Sequence, residues 1–355
     1  MSVVLFAAMA MTFLGAASAS AQPQLCFGRS ATNPGSTTGT PGNDVIIGTP
    51  GADTIDGLGG NDLICGLGGD DRLIGGPGDD QIDGGDGNDD IVGDGFAFSG
   101  DVKGSTGVDR LLGGTGDDSM VGDNYAVFGD ADNASADVMF GGPGNDNLIG
   151  DDRGDHAVGG ADDRLEGGAG DDSLTGDSLG FYTATGAGDD VLLEGPGSFG
   201  DATGDSASFV GSASGAGGDD VIDMGADGGF FAIGDHNAPT TATGSGNDRI
   251  TGGAAGELWI IGDSSVGDAT GVTAGSDVIT ARGGDDTVFG DNAVVNQTTQ
   301  QFEPAGTAGG SDSLFGGPGD DSLYGGPGND FLDGGPGRNH CDGDGGQNVL
   351  VNCRT

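Results

Sequence analysis

Six consecutive nine-residue units fill the segment from Gly39 to Val92: GTPGNDVII, GTPGADTID, GLGGNDLIC, GLGGDDRLI, GGPGDDQID and GGDGNDDIV. The sixth position of every unit is aspartate, at Asp44, Asp53, Asp62, Asp71, Asp80 and Asp89. Two positions later stands an aliphatic residue, at Ile46, Ile55, Ile64, Leu73, Ile82 and Ile91. Glycine precedes each aspartate by two positions, at Gly42, Gly51, Gly60, Gly69, Gly78 and Gly87. Aspartate, an aliphatic residue and glycine therefore all recur with the same nine-residue period.

Each position of the unit has a physical interpretation. Glycine permits a tight turn with exposed carbonyl oxygens, and the aspartate adds a hard carboxylate beside them. Irregular sets of carboxylate and carbonyl oxygens suit Ca²⁺ better than Mg²⁺. The aliphatic residue between two polar neighbours predicts a short, half-buried strand. One strand and one turn bury nothing alone, so the units are expected to stack.

The pattern G-G-x-G-x-D-x-U-x resembles the RTX-type (hemolysin-type) calcium-binding nonapeptide repeat, the parallel β-roll family. The resemblance implies an all-β, right-handed parallel β-roll or β-solenoid with two units per coil and Ca²⁺ between neighbouring coils. Ile46, Ile64 and Ile82 would then line one sheet, and Ile55, Leu73 and Ile91 the other. Unlike this chain, members of the family that use type I secretion generally lack cysteine and an N-terminal signal.

Composition agrees with a calcium-binding repeat. The chain has 57 acidic and 10 basic residues, a formal net charge of −47, and 82 glycines among 355 residues. A nucleic-acid partner is not expected, because a phosphate-binding surface needs a basic patch. Permanent disorder is the alternative to a fold, but disorder does not require an aliphatic residue in phase with the aspartates.

The ends of the chain suggest export. An apolar run followed by Ala19-Ser20-Ala21 predicts a signal peptide over residues 1–21, although the usual basic residues before the run are missing. No later segment is apolar enough to span a membrane, so a secreted or cell-surface location is expected. Four cysteines allow three disulfide pairings. We expect Cys26 with Cys65 and Cys341 with Cys353, because each would fasten one end of the solenoid; free buried thiols are the alternative.

A longer period begins after Gly93. Leading aspartates recur every 26 to 30 residues, at Asp109, Asp137, Asp163, Asp190, Asp220, Asp248 and Asp277. Since one coil needs 18 residues, each longer repeat predicts a coil plus an edge loop of about ten residues. Each of these inserted loops, which we call excursions, begins with a Gly-Asp-polar marker such as Gly122-Asp123-Asn124. The predicted divisions are residues 22–38 as a lead or cap, 39–92 as regular roll, 93–309 as expanded roll, and 310–355 as regular roll with a disulfide cap.

The partner aspartate, nine residues after the leading one, is present at Asp118, Asp146, Asp172 and Asp286 but is replaced by Phe199, Gly229 and Glu257 in between. Bulky residues cluster nearby, among them Phe230, Phe231 and Trp259. Weakened metal sites are expected over about residues 190–265, with either a thicker core or an aromatic binding patch. Regular units resume with Asp312, Asp321 and Asp330, and Asn339 and Asn348 continue the phase as a cap.

The predicted metal ligands are the aspartates in phase, assisted by the backbone carbonyls of Gly42, Gly51, Gly60, Gly69, Gly78, Gly319 and Gly328. Twenty aspartates that share ions in pairs would hold on the order of ten Ca²⁺. The segment GDSLG, from Gly176 to Gly180, resembles an esterase motif, but Ser178 occupies the recurring polar slot of the marker and lacks a suitable histidine.

The sequence thus favours a non-enzymatic, secreted protein whose folding depends on Ca²⁺ and whose role is structural or adhesive. Cell-surface glycans or matrix are the candidate partners. The alternatives are a polysaccharide-modifying or hydrolytic enzyme built on a β-solenoid, for which Glu257 beside Trp259 is the one hint, and an orphan calcium-binding module of a former secreted enzyme.

Overall fold

Short strands, nearly all of them paired in parallel, build the described part of the chain from Val45 onward. A computed structural model describes residues 24–354 except 198, 255–258, 269–271, 297 and 300. Within these residues there are three sheets of thirteen strands each and no helix. Consequently, the described residues contain no helix that could cross a membrane. The predicted signal peptide lies outside the described residues, as does Glu257.

Two sheets form the roll, and the chain alternates between them. The first contains Val45–Ile47, Leu63–Gly68, Gln81–Asp86, Arg110–Thr115, Val138–Pro143, Arg164–Ala169, Val191–Leu193, Val221–Asp223, Arg249–Thr251, Val278–Thr280, Ser313–Phe315, Phe331–Asp333 and Val349–Val351. The second contains Thr54–Asp56, Arg72–Ile74, Asp90–Val92, Ser119–Val121, Asn147–Ile149, Ser173–Thr175, Gly200–Thr203, Gly229–Ile233, Trp259–Ile261, Thr287–Phe289, Ser322–Tyr324, Asn339–Asp342 and Cys353–Arg354. This arrangement is the predicted parallel β-roll.

The core is a double column of aliphatic side chains between these sheets. Ile46, Ile64 and Ile82 are in register in the first sheet. Ile55, Leu73 and Ile91 are in register in the second sheet. Both assignments confirm the prediction. Because each strand contributes about one fully buried side chain, worth roughly 1.5–3 kcal/mol, each coil alone is weak and stability accumulates by stacking.

The excursions form a third sheet, where the sequence predicted edge loops. Its strands are Phe96–Ala97, Val102–Lys103, Tyr125–Ala126, Ala131–Asp132, Arg153–Val158, Leu179–Thr185, Ala207–Ser208, Ser212–Ser214, Asn237–Ala238, Ala242–Thr243, Ser265–Val266, Ala293–Val295 and Phe302–Pro304. Successive excursions have similar lengths and lie one coil apart, so their backbone groups can pair. The last two of these strands pair antiparallel, whereas the other strand pairs of the described chain are parallel.

Both predicted disulfides are present. Cys26 is bonded to Cys65, with Cα atoms 5.7 Å apart, and Cys341 to Cys353, with Cα atoms 5.5 Å apart. The first joins the segment before the roll to the strand Leu63–Gly68, and the second closes the last coil. The described residues contain no free cysteine. Each end of the roll, which has a neighbouring coil on one side only, is thus covalently fastened.

The bulky residues of the middle section lie outside the column of the roll. Ile233, Ile261 and Phe289 form a separate buried cluster on the other side of the second sheet. Phe231 and Trp259 pack against it, and Phe302 covers Trp259 with ring centroids 4.8 Å apart. The cluster is therefore a second small core under the antiparallel hairpin. Phe199 and Phe230 remain exposed.

Candidate metal centre

One oxygen of each motif aspartate holds neighbouring coils together. The backbone N–H of Asp44 donates to Asp62 Oδ1 at 2.7 Å, and that of Asp62 donates to Asp80 Oδ1 at 2.7 Å. Along this edge the bond continues through Asp109, Asp137, Asp163, Asp190, Asp220, Asp248, Asp277, Asp312 and Asp330. The opposite edge repeats it through Asp53, Asp71, Asp89, Asp118, Asp146 and Asp172, and again from Asp286 to Asp321. All twenty predicted ligands therefore belong to two ladders.

The second oxygen, Oδ2, is left without a donor along most of both ladders. In the described part of the chain, buried Oδ2 atoms without a hydrogen-bond partner belong to Asp62, Asp71, Asp80, Asp89, Asp109, Asp118, Asp137, Asp146, Asp163, Asp172, Asp190, Asp220, Asp248, Asp277, Asp312, Asp321 and Asp330. A buried carboxylate oxygen without a donor costs free energy unless a cation or proton compensates it.

These oxygens face the carbonyl of a glycine one coil further on. A Cβ atom added to Gly113 would collide with both the carbonyl oxygen of Gly141 and Asp118 Oδ2. The same pair of atoms surrounds Gly141, namely the carbonyl oxygen of Gly167 and Asp146 Oδ2. Both oxygens lie against the same glycine Cα and therefore close to each other, an arrangement that we call a cradle, and a carboxylate oxygen beside a carbonyl oxygen is the kind of ligand pair that suits Ca²⁺. The residues thus fit the calcium that the repeat implies.

The cradle combines one carboxylate with backbone carbonyls. Among the described residues, no three His, Cys, Asp or Glu side chains come together as a metal-binding group. The first glycine of each unit, such as Gly57 or Gly66, supplies the carbonyl that faces Oδ2, and the sequence analysis missed it. The sequence signal for this carbonyl is the glycine that begins every nine-residue unit. In the structure the φ of this glycine is not in the left-handed region, so the glycine is needed for the close approach of another atom and not for a turn.

The carbonyls that were predicted as ligands lie deeper in the turn. The carbonyl oxygen of Gly60 faces Gly78, and those of Gly69 and Gly78 face Gly87 and Gly107. Gly42 and Gly51 lie beneath Gly60 and Gly69 in the same stack, and Gly319 and Gly328 continue this phase in the last units. These carbonyls therefore point along the stack of turns, whereas the first glycine's carbonyl shares the cradle with Oδ2. Their role as ligands stays a prediction.

Both ends of the ladders are satisfied without a cation. Asp44 Oδ2 accepts bonds from the backbone N–H of Thr40 at 2.6 Å and from its hydroxyl at 2.8 Å, and Asp53 Oδ2 accepts one from the N–H of Thr49. At the other end Asn339 and Asn348 accept the ladder bond through Oδ1. Their amide groups donate to nearby carbonyls instead of leaving an open oxygen. The predicted asparagine cap therefore closes its own cradles.

Glu194 replaces the first missing partner aspartate. Its Oε1 accepts the backbone N–H of Asp172 at 3.0 Å, which continues the ladder where Phe199 stands in the aspartate phase. The side chain is fully buried and Oε2 has no donor among the described residues. In the next coil Met224 is buried in the core at this edge, beside Gly229. The sequence analysis missed Glu194 because it lies out of phase, although glutamate is rare in this chain.

Burial dominates the electrostatics of the ladders. It raises the pKa of Asp62 to about 6, of Asp118 to about 7, of Asp80 to about 8 and of Asp109 to about 11. Neighbouring aspartates raise these values further. Asp44 is the opposite case, because the hydroxyl of Thr40 lowers its pKa. A bound cation would restore the ionised form of the interior carboxylates near neutral pH.

The polar third residues of the Gly-Asp-polar markers form a third ladder of hydrogen bonds between neighbouring coils. The N–H of Asn124 donates to Asp152 Oδ1 at 3.0 Å, and the N–H of His236 donates to Ser264 Oγ at 3.2 Å. Ser178 belongs to the same row: it is fully buried, and its hydroxyl donates to the carbonyl of Gly159 at 3.2 Å. The structure thus places Ser178 as a recurring packing element of the excursions.

Comparison with known proteins agrees with this geometry. The family model described as RTX calcium-binding nonapeptide repeat (4 copies) matches residues 38–73, 66–97, 98–124, 131–156, 149–178, 242–255, 272–293, 307–341 and 315–350, together more than half of the chain. No curated protein matches the chain. RTX repeats bind Ca²⁺, and the unpartnered aspartate oxygens and glycine carbonyls recur in the matched segments. The chain belongs to the family of RTX calcium-binding nonapeptide repeat proteins.

Proposed function

We propose that this calcium-binding repeat protein is secreted, folds when Ca²⁺ fills its cradles, and acts without catalysis as a structural or adhesive surface protein. The observation that supports the proposal is the repetition of one cradle, an unpartnered aspartate Oδ2 facing a glycine carbonyl, along both edges of the roll. At ~4.8 Å per strand, thirteen strands form a rod about 60 Å long. If each ion is shared by two cradles, on the order of ten ions would fill it.

Two further features support export. Disulfides persist in oxidising compartments, and the two pairs fasten the ends of the roll. Cradles with one carboxylate each suit the weak calcium affinities of extracellular modules, where millimolar Ca²⁺ is present. Folding would then follow release from the cell, because in the cytosol the chain would lack the cation that compensates its interior carboxylates.

The outer face of the third sheet supports a surface-interaction role. Tyr125, Phe128, Arg153, Phe181 and Tyr182 line a groove of 310 Å³. Phe181 and Tyr182 are about half exposed, and their ring centroids lie 4.9 Å apart. Exposed aromatic rings beside a guanidinium group form a surface on which a sugar ring can stack while its hydroxyl oxygens accept hydrogen bonds from the guanidinium. Cell-surface or matrix glycans are therefore the proposed partners of this groove.

A calcium titration with a matched pair of variants tests the folding proposal. In the wild-type protein, calorimetry and circular dichroism should show Ca²⁺ uptake together with a change from coil to β structure, and Mg²⁺ should not substitute. Asp118→Asn should remove about one ion and raise the calcium concentration needed for folding. Asp117→Asn makes the same change of charge at the adjacent exposed residue and should leave both unchanged. Equal effects of the two substitutions would mean that net charge, not the cradle, controls folding.

A glycan-array measurement tests the partner. Binding should require Ca²⁺, and Tyr182→Ala should abolish it. Phe199→Ala removes an exposed ring that does not line the groove, and it should leave binding unchanged. Binding that survives Tyr182→Ala would place the contact elsewhere.

A further inference from the structure

The excursions interrupt a unit rather than separate two units. Gly122 has the cradle environment of a first-position glycine, and its partner aspartate is Asp137, fifteen residues later. Gly122-Asp123-Asn124 therefore occupies positions one to three of a nonapeptide unit, and Ser135 to Asp137 occupies positions four to six. The excursion is inserted between positions three and four. In such a split unit, aspartate stands at the second position, where the unit GGPGDDQID has Gly76.

The second-position aspartates, which we call the marker row, close the split turns. They are Asp94, Asp123, Asp151, Asp177, Asp205, Asp235, Asp263 and Asp291, and all are buried. Most of them accept a backbone N–H from position four: Asp94 from Gly107 at 3.0 Å, and Asp291 from Gly310 at 2.7 Å. Asp123, Asp151, Asp205, Asp235 and Asp263 make the equivalent contact, whereas both carboxylate oxygens of Asp177 are without a hydrogen-bond partner among the described residues. One carboxylate oxygen of each residue except Asp177 is thereby assigned a structural role.

The other oxygen has no donor at several coils. Asp94 Oδ1, Asp151 Oδ1 and Asp235 Oδ2 are without a hydrogen-bond partner in the described part of the chain, and these side chains are at most 1% exposed. Adjacent members of the marker row lie one above the other, because the backbone N–H of Asp94 donates to the carbonyl of Asp123 at 3.1 Å and that of Asp123 to the carbonyl of Asp151 at 3.1 Å, and the carboxylate of Asp123 faces those of both neighbours. Two ionised carboxylates in contact share no hydrogen, so a proton or a cation must lie between them.

No described basic side chain compensates this row in ionised form. Among the described ion pairs, the one that reaches it joins His236 Nδ1 to Asp205 Oδ2 at 3.4 Å. The same Nδ1 accepts the backbone N–H of Ser206 at 3.4 Å and therefore carries no proton, so the ring is in its neutral form. The leading ladder runs beside the row, and its described members contribute carboxyl groups such as that of Asp137 but no basic group.

We propose that the marker row is a second line of Ca²⁺ sites, in which each ion bridges marker carboxylates of adjacent coils. This inference rests on the proposed calcium-dependent folding and adds ions to those of the cradles. Oxygen-only ligands, carboxylates and turn carbonyls, suit a hard cation of flexible geometry. The third sheet would then be attached to the roll through metal ions, so that calcium would order the proposed glycan groove as well as the roll.

The decisive experiment counts ions in matched double variants. Asp123→Asn with Asp151→Asn should lose at least two Ca²⁺ in native mass spectrometry, because each marker residue contacts two neighbours. Asp117→Asn with Asp162→Asn removes the same charge from exposed positions of the same coils and should lose none. An anomalous difference map of wild-type crystals grown with Ca²⁺ gives an answer even if the first variant fails to fold, since peaks should lie beside Asp123 and Asp151.

Three outcomes separate the two proposals. Peaks beside the marker row and a loss of ions in its double variant support the inference. Wild-type protein that binds Ca²⁺ in the cradles, with no peak beside the marker row and an unchanged ion count in the variant, overturns it and leaves the proposed function intact; the marker carboxylates then share protons. Protein that binds no Ca²⁺ at all overturns both.

Discussion

Metal-free protein should respond to pH in the direction opposite to calcium-bound protein. The perturbation is removal of Ca²⁺ with a chelator, followed by a change of pH. Four buried carboxyl groups show the effect: burial raises the pKa of Asp94, Asp152 and Glu194 to about 9 and that of Asp109 to about 11. In the unfolded chain the same groups titrate near pH 4. Between about pH 5 and pH 8, the metal-free fold therefore keeps four protons that the unfolded chain has released.

The sign and size of the effect follow from this proton difference. A raised pKa contributes stability that is fully present below the unfolded pKa, near 4, and that is lost as the pH rises through the folded pKa. Each group contributes about 1.4 kcal/mol per pH unit, so the four together destabilise the metal-free fold by about 5 kcal/mol per unit. From about pH 5 to pH 7 the loss is ~11 kcal/mol, comparable to the whole stability of a typical domain. With Ca²⁺ bound, protons compete with the ion, and acidification destabilises the fold instead.

Circular dichroism and small-angle X-ray scattering measure this directly. Chelated protein should be compact and β-rich near pH 4.5, expanded near pH 7.5, and compact again at pH 7.5 after Ca²⁺ is added. The titration should be run at two salt concentrations, because screening weakens general charge repulsion more than it changes the desolvation of buried groups. Chelated protein that is fully folded at pH 7.5, or that unfolds on acidification, would refute the reasoning.

Three substitutions probe the remaining parts of the roll. Gly66→Ala places a methyl group inside a cradle and should raise the calcium concentration for half-folding about tenfold or more. Gly51→Ala is the control, because its added Cβ meets no atom within 4 Å, and it should leave this concentration unchanged. Equal midpoints of the two variants in a calcium titration would contradict the prediction. Leu148→Ala empties one layer of the core and should lower the free energy of unfolding by about 2–5 kcal/mol in a urea titration at saturating Ca²⁺. Replacing Cys26 and Cys65 by serine should remove about 2–4 kcal/mol and speed hydrogen exchange in the first coils, while unchanged exchange there would show that the disulfide is not needed to fasten this end.

The sequence predicted the parts of the fold that depend on period. Because Ile46, Ile64 and Ile82 repeat every 18 residues, their positions in one column follow from the coil length alone. The disulfides were also predictable, since Cys65 follows an aliphatic core position and Cys341 replaces one. For the core columns the phase alone determined contacts between residues one coil apart, and for each disulfide it placed one cysteine at or beside a core position.

What escaped prediction depends on contacts that have no fixed phase. Glu194 reaches the ladder from a position five residues before Phe199, and only the fold shows that its longer side chain spans the difference. The third sheet was predicted as loops because its short strands, such as Tyr125–Ala126, carry too little periodicity to indicate pairing. Its strands form because neighbouring excursions present matching backbone groups, a property of the stack and not of any single segment.

The two oxygens of the motif aspartate explain why the ends of the roll differ from its interior. Oδ1 sets the spacing of the coils, and asparagine performs this task equally well, as Asn339 does for Asp321 at 3.0 Å. Oδ2 is the oxygen that would bind the cation, and asparagine has an amide nitrogen in its place. At the N-terminal end Thr40 satisfies Oδ2 of Asp44 instead. Both ends are thus complete without metal, whereas the interior coils keep open carboxylates. We therefore expect calcium to control the folding of the middle of the roll, with the disulfide-bonded ends as templates against which the interior coils stack when the ion binds.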